Sequence, residues 1–233
     1  MLEKRIRIFT GGAPSHVLEQ LVPAFERETG CAVDMVVKIV ADIQKQVLSG
    51  DHPDVILLPQ RLIDDIEETV ETCVDGRAAL ARVGIGLVTK SGRALTDFTD
   101  LSGLKKLLLE ARHVVVADPR TPTGRHLAFV FEKLGITKQL SDKLIHKGAI
   151  HGGGTLVATG EADFGLFLVS EVQHLEGLQL AGFLPTSVQN YIVYCSSVPT
   201  SSNYTKEAIQ FVQFLKSPFH HNLWRVNGFE PEA

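Results

Sequence analysis

Along almost the whole chain, short apolar runs alternate with stretches whose apolar positions recur every three or four residues. The runs Arg5 to Phe9, Ala32 to Val37, Asp54 to Leu58, Val83 to Thr89, His113 to Ala117, Phe164 to Leu168, Leu178 to Phe183 and Tyr191 to Ser196 read as strands. Helical spacing covers Pro14 to Glu28, Asp42 to Leu48, Pro59 to Glu67, Leu101 to Arg112, Thr123 to Leu134, Lys138 to Lys147, Lys206 to Lys216 and Pro218 to Val226. In the first of these helices Val17, Leu18, Leu21, Val22 and Phe25 share one face. Pro14 suits its first turn, Gly30 suits its stop, and Pro23 predicts a bend. The alternation predicts an α/β fold with mainly parallel sheets covered by helices.

No repeat, low-complexity tract or long linker interrupts the pattern. Two lobes would therefore have to exchange the chain through ordered strands, for which Val83 to Thr89 and Tyr191 to Ser196 are the candidates. The expected organisation is one lobe of residues 1–83 plus 195–233 and a second of residues 84–194, with a ligand cleft between them.

Composition narrows the function classes. Of 233 residues, 44% are hydrophobic, enough to bury a core. The formal net charge of −4 and the scattered Lys and Arg leave no nucleic-acid footprint. No apolar run approaches the roughly 20 residues of a membrane-spanning helix, so no direct membrane insertion is expected. The chain enters its first strand from Met1 without a signal-peptide core, which reads as cytoplasmic unless a leader has been removed, in which case periplasmic. Cys31, Cys73 and Cys195 form no CxxC pair and read as small hydrophobes. The histidines lack metal spacing, so neither a metal nor a cofactor is expected.

Two turns carry the candidate chemistry. Thr10-Gly11-Gly12-Ala13-Pro14-Ser15 and Ala117-Asp118-Pro119-Arg120-Thr121-Pro122-Thr123-Gly124-Arg125 each join a strand to a helix start. A helix N-terminus offers unpaired N–H groups and partial positive charge, and glycines let backbone approach a ligand. Taken singly, each reads as an ordinary loop whose hydroxyls cap a helix. Two such turns far apart in sequence favour one small anion held between two lobes. The candidate ligand contacts are Thr10, Gly11, Gly12 and Ser15 from one lobe, and Thr121, Thr123, Gly124 and Arg125 from the other.

Other motifs fall away. His151-Gly152-Gly153-Gly154 looks like an esterase oxyanion loop, but no G-x-S-x-G elbow exists, so it reads as a tight turn before a helix starting at Thr155. There is no G-x-G-x-x-G and no G-K-[ST]. Asp64-Asp65 and Glu67-Glu68 read as a solvated acidic helix face.

Several segments together resemble the molybdate-binding-protein branch of the type II periplasmic binding proteins. They include Phe25-Glu26-Arg27-Glu28-Thr29-Gly30, Pro53-Asp54-Val55-Ile56, Ala117-Asp118-Pro119, Gly160-Glu161-Ala162-Asp163-Phe164-Gly165, Phe214-Leu215-Lys216-Ser217-Pro218 and Gly228-Phe229-Glu230-Pro231. The resemblance implies two α/β lobes joined by two crossing strands, with ligand in the cleft. It also implies a backbone contact at Phe167 and a side-chain contact at Tyr191. The family's two ligand-holding serines fall on Ala13 and within Ile39-Val40-Ala41, which carry no hydroxyl. With Arg120 and Arg125 present, the departure favours an organic carboxylate over molybdate. The expected function is a solute-binding protein for a small anion, partnered by the membrane component of an ABC-type transporter. The segment from Leu80 to Gly86 also resembles an aconitate-isomerase-like relative, which gives the alternative of a double-bond shift by proton transfer. His16, His126 and Tyr191 are the candidate bases. A cytoplasmic ligand sensor would need a DNA-binding domain that is not evident in the sequence.

Overall fold

A computed structural model of the chain describes residues 4–93 and 98–232; Met1 to Glu3, on which the reading of the chain's start partly rests, lie outside the described residues. In chain order the elements are β1 (Arg5–Thr10), α1 (Ser15–Thr29), β2 (Ala32–Val37), α2 (Val40–Leu48), β3 (Val55–Pro59), α3 (Gln60–Glu67), β4 (Ala78–Lys90), α4 (Leu101–Glu110), β5 (Val114–Val116), α5 (Pro122–Lys133), α6 (Thr137–Leu140), β6 (Leu144–His146), α7 (Gly153–Thr159), β7 (Phe164–Leu168), β8 (Leu178–Phe183), β9 (Tyr191–Ser197), α8 (Thr205–Lys216), α9 (His221–Val226) and β10 (Glu230–Pro231). They group into two compact units, Met1–Arg82 with Val193–Ala233, and Val83–Ile192. The chain leaves the first unit along β4 and returns to it along β9.

The first unit is built on parallel strands, with β1 flanked by β2 and β3 (Ile8 opposite Met35 and Val55), and β9 added antiparallel to β3. Every residue of β3 is buried, the pattern of a strand covered on both faces. Helix α1 turns Val17, Leu18, Leu21 and Phe25 inward, where the Phe25 ring meets Phe211 edge-on at 4.9 Å and Phe214 at 5.5 Å on α8. The helix runs through Pro23 unbroken and stops at Gly30, whose φ of +68° lets its N–H reach the Glu26 carbonyl.

The second unit places β5 between β6 and β7, all parallel, with β4 antiparallel to β7 and to β8. Val88, Val115, Val157, Phe167 and Val172 share its apolar cluster. At the start of β7, the nearly buried Asp163 accepts bonds from the Arg112 backbone N–H at 2.7 Å and from Arg93 Nη1 at 2.9 Å. Burial pushes this carboxyl up, but the arginine bonds outweigh it and hold it well below the usual carboxylate range.

Several expected elements differ, four of them informatively. The helix expected over Lys138 to Lys147 is a single turn, α6, followed by strand β6; Leu144 to His146 find an open edge of β5, and pairing there prevails over local helical spacing. Pro218 to Val226 divides into a tight turn at Pro218–His220 and α9. Strand β4 starts at Ala78, five residues before the expected Val83, and Ala81 and Arg82 pair with β10. Helix α7 starts at Gly153 instead of Thr155, after Gly152 at φ +92°. A side chain at Gly153 would meet the Lys147 carbonyl oxygen at 2.5 Å, so the glycines here serve a close backbone crossing.

Candidate functional site

In the first unit, the β1–α1 turn carries Thr10, Gly11, Gly12 and Ser15 together. Thr10 is fully buried and its hydroxyl donates to the Gly11 carbonyl at 3.3 Å. A Cβ on Gly11 would meet Val40 Cγ1 at 2.5 Å, so only glycine lets this turn lie against α2. Ser15 spends its hydroxyl on the Gly12 carbonyl at 2.7 Å. Pro14 precedes the helix and no side chain caps it. The turn thus presents backbone N–H groups at a helix start more than it presents hydroxyls. His16 Nδ1 lies 3.4 Å from Glu19 Oε2, an exposed pairing on the helix surface.

In the second unit, the β5–α5 turn divides its polar groups between structure and availability. Thr121 is the helix cap: its Oγ1 accepts from Gly124 N–H at 3.0 Å and donates to the Asp118 carbonyl at 2.7 Å. Arg120 is held by Asp118, with Nη2 to Oδ2 at 3.0 Å, and this guanidinium keeps the Asp118 carboxyl below its usual range. Gly124 permits the fold of the loop, because a Cβ there would lie 2.1 Å from the Asp118 carbonyl oxygen. Thr123 is only 5% exposed, and among the described residues its hydroxyl has no partner. Arg125 donates through Nη1 to the Arg120 carbonyl at 2.6 Å and meets no carboxylate among the described residues. Thr123 and Arg125 are therefore the groups of this turn that meet no acidic side chain and cap no helix among the described residues.

Phe167 and Tyr191 lie in the same unit as that turn. The Phe167 side chain is fully buried in the apolar cluster, so only its backbone can meet a ligand; it stands one residue beyond Leu166, the last partner of β5. Tyr191 is 41% exposed at the start of β9. Its segment is pinned from two sides. His126 on α5 meets the Val188 carbonyl through Nε2 at 2.7 Å, and Gln189 pairs with both Ile85 backbone groups on β4, at 2.8 and 3.1 Å. A carbonyl can only accept, so His126 carries its proton on Nε2 and serves as a strut. Gln189 was invisible to sequence reading, since a loop glutamine has no periodicity or motif to mark it.

Other sequence expectations need correction. The acidic helix face on α3 is not simply solvated: Asp64 and Glu67 both pair with Arg77, and Glu67 accepts from Ser197 at 2.6 Å. The three cysteines are free, but Cys73 is only half-buried. Burial pushes the Cys195 thiol up to about 11, which removes thiolate chemistry near neutral pH. Among the described residues no three His, Cys, Asp or Glu gather as a metal site, and no helix is long and apolar enough to cross a membrane.

The sequence matches the family described as bacterial extracellular solute-binding protein over residues 6–230. It is 22% identical to an aconitate isomerase of Pseudomonas sp, covering 97% of this chain and 87% of that protein. It is 21% identical to a putative ABC transporter substrate-binding lipoprotein of Bacillus subtilis (strain 168), covering 82% and 72%. The fold is similar to that of the periplasmic molybdate-binding protein of Azotobacter vinelandii, with a TM-score of 0.81 and 20% identity over 98% of this chain and all of that one. With two α/β units exchanged through β4 and β9, the chain belongs to the bacterial extracellular solute-binding proteins and has their type II fold, on the branch similar to molybdate-binding proteins.

Proposed function

We propose that this chain captures a small organic carboxylate and presents it to the membrane component of an ABC-type transporter on the outer side of the cytoplasmic membrane. The observation that carries the carboxylate reading is the division of labour in the β5–α5 turn. Arg120 is neutralised by Asp118, whereas Arg125 has no acidic partner among the described residues and follows the open Thr123 hydroxyl at a helix start. A guanidinium matches a carboxylate bidentately, and helix-start N–H groups add to the same field. The uncapped start of α1 supports a second set of donors from the first unit, with Gly11 and Gly12 leaving its backbone bare. Ala13 is buried and has no hydroxyl to offer a tetrahedral oxyanion. The partner and location rest on the family and on the relative from Bacillus subtilis.

A second reading is supported by the likeness to aconitate isomerase along nearly the entire chain. On that reading the same site holds a tricarboxylate while a proton leaves one carbon and returns to another, shifting the double bond. A thermal-shift screen of oxyanions, dicarboxylates and tricarboxylates, followed by proton NMR of each hit, separates the two. A hit that stays chemically unchanged supports capture alone, a hit that isomerises supports the enzyme, and stabilisation by oxyanions only contradicts both.

A further inference from the structure

The turn that follows β7 holds two adjacent polar side chains without partners. Ser170 is 2% exposed and its Oγ makes no hydrogen bond. Glu171 is next to it, and among the described residues its carboxyl makes neither a hydrogen bond nor an ion pair. The contrast with Asp163, at the other end of the same strand, is sharp: that carboxyl gathers donors from Arg93 and Arg112. Glu171 is half-buried, whereas the Ser170 hydroxyl is withdrawn from water without a partner; such a group is costly and persists where something outside the fold completes it. Burial pushes the Glu171 carboxyl up to about 7. Burial is the cause, with no charged group among the described residues holding the carboxyl up or down.

The sheet places this pair beside the anion-suited turn. Strands β5 and β7 are parallel neighbours, with Val116 opposite Leu166, so both chains leave the sheet along one edge. From β5 the chain enters the loop that ends at Thr123 and Arg125; from β7 it enters Val169–Glu171. The carboxyl edge of parallel strands is where such sheets receive ligands. We propose that Ser170 and Glu171 complete the ligand site of this unit, each donating a hydrogen bond to an oxygen of a bound polycarboxylate, with Glu171 entering as the neutral acid. The inference rests on the capture reading above and gives it a substrate class: an acid with more carboxylates than Arg125 alone can pair. The proton balance is simple. Where Glu171 is ionised in the free protein, binding takes one proton from solution and places it between the Glu171 carboxyl and a ligand oxygen. Affinity then falls as pH rises through about 7, approaching tenfold per pH unit once Glu171 is fully ionised.

Citrate and cis-aconitate are the probes, titrated calorimetrically from pH 6 to 9 in pairs of buffers with different ionisation enthalpies. The wild-type protein should take up a fraction of a proton near pH 7 and close to one at pH 9. Glu171→Gln, which keeps a neutral donor, should bind with little change at pH 6 and lose both the proton uptake and the pH slope. Ser170→Ala should weaken binding by about tenfold and leave the slope intact. A wild type that binds these acids with no proton uptake overturns this inference alone, as does an unchanged slope in Glu171→Gln. A wild type that binds neither acid overturns the carboxylate reading and this inference with it.

Discussion

Arg120 and Arg125 stand five positions apart on one turn and meet different fates. Asp118 engages the guanidinium of Arg120, while Arg125 keeps most of its donors beyond the one bound to the Arg120 carbonyl. Arg125→Ala should cost about 2–5 kcal/mol of affinity for the best carboxylate, the range for truncating one partner of a desolvated charge pair. Arg120→Ala should cost under about 1 kcal/mol, since its exposed pairing with Asp118 is a surface one. Calorimetry on both variants checks the order, and equal or reversed losses would contradict the assignment. Gly124 is a stricter case. An added Cβ would run into the Asp118 carbonyl and the Pro119 backbone, atoms that cannot swing aside as a flexible side chain can. Gly124→Ala should therefore lower stability by about 1–3 kcal/mol and weaken ligand binding as the loop lifts off the helix, which thermal melting and titration would register.

At the scale of elements, Asp163 ties the start of β7 to Arg112 and Arg93. Its carboxyl is held below the ordinary value, so the stabilisation is complete above the unfolded-state pKa of about 3.9 and is lost as pH falls through and below it. Asp163→Asn should destabilise the protein at pH 7 and show a shallower loss of stability between about pH 5 and 2 than the wild type, as denaturant melts at each pH would show. Both arginines are substantially exposed, which keeps the pH 7 cost toward the lower end of about 1.5–3 kcal/mol for charged hydrogen bonds. Helix α1, whose buried Val17, Leu18, Leu21 and Phe25 recur at helical spacing, and β7, apolar and buried throughout, were legible from sequence because burial follows the apolar positions there. The segment from Lys138 to Lys147 was not. Its residues can satisfy a helical pattern, and only the open edge of β5 decides that Leu144 to His146 extend. The turns at Thr10 and Thr121 were legible as strand-to-helix junctions. Which hydroxyl caps and which stays open depends on loop geometry, and so Thr121 and Thr123 could not be told apart. Ser170 and Glu171 passed unnoticed because an unpartnered group has no sequence signature.

At the scale of the molecule, two compact units are built from segments discontinuous in sequence, and strands β4 and β9 carry the chain between them. The ordered β4 and β9 keep the exchange of chain from requiring a loose linker. The fold is shared by relatives with different ligands, so the ligand class is decided by the turns and not by the architecture. On the proposed function, these turns carry a carboxylate-pairing arginine where oxyanion-holding hydroxyls would stand. Isothermal titration of the wild-type protein with citrate, cis-aconitate and molybdate under one buffer condition tests it most directly: saturable binding of at least one of the acids with weak or absent molybdate binding is the predicted result, and tight molybdate binding with both acids inert would contradict it.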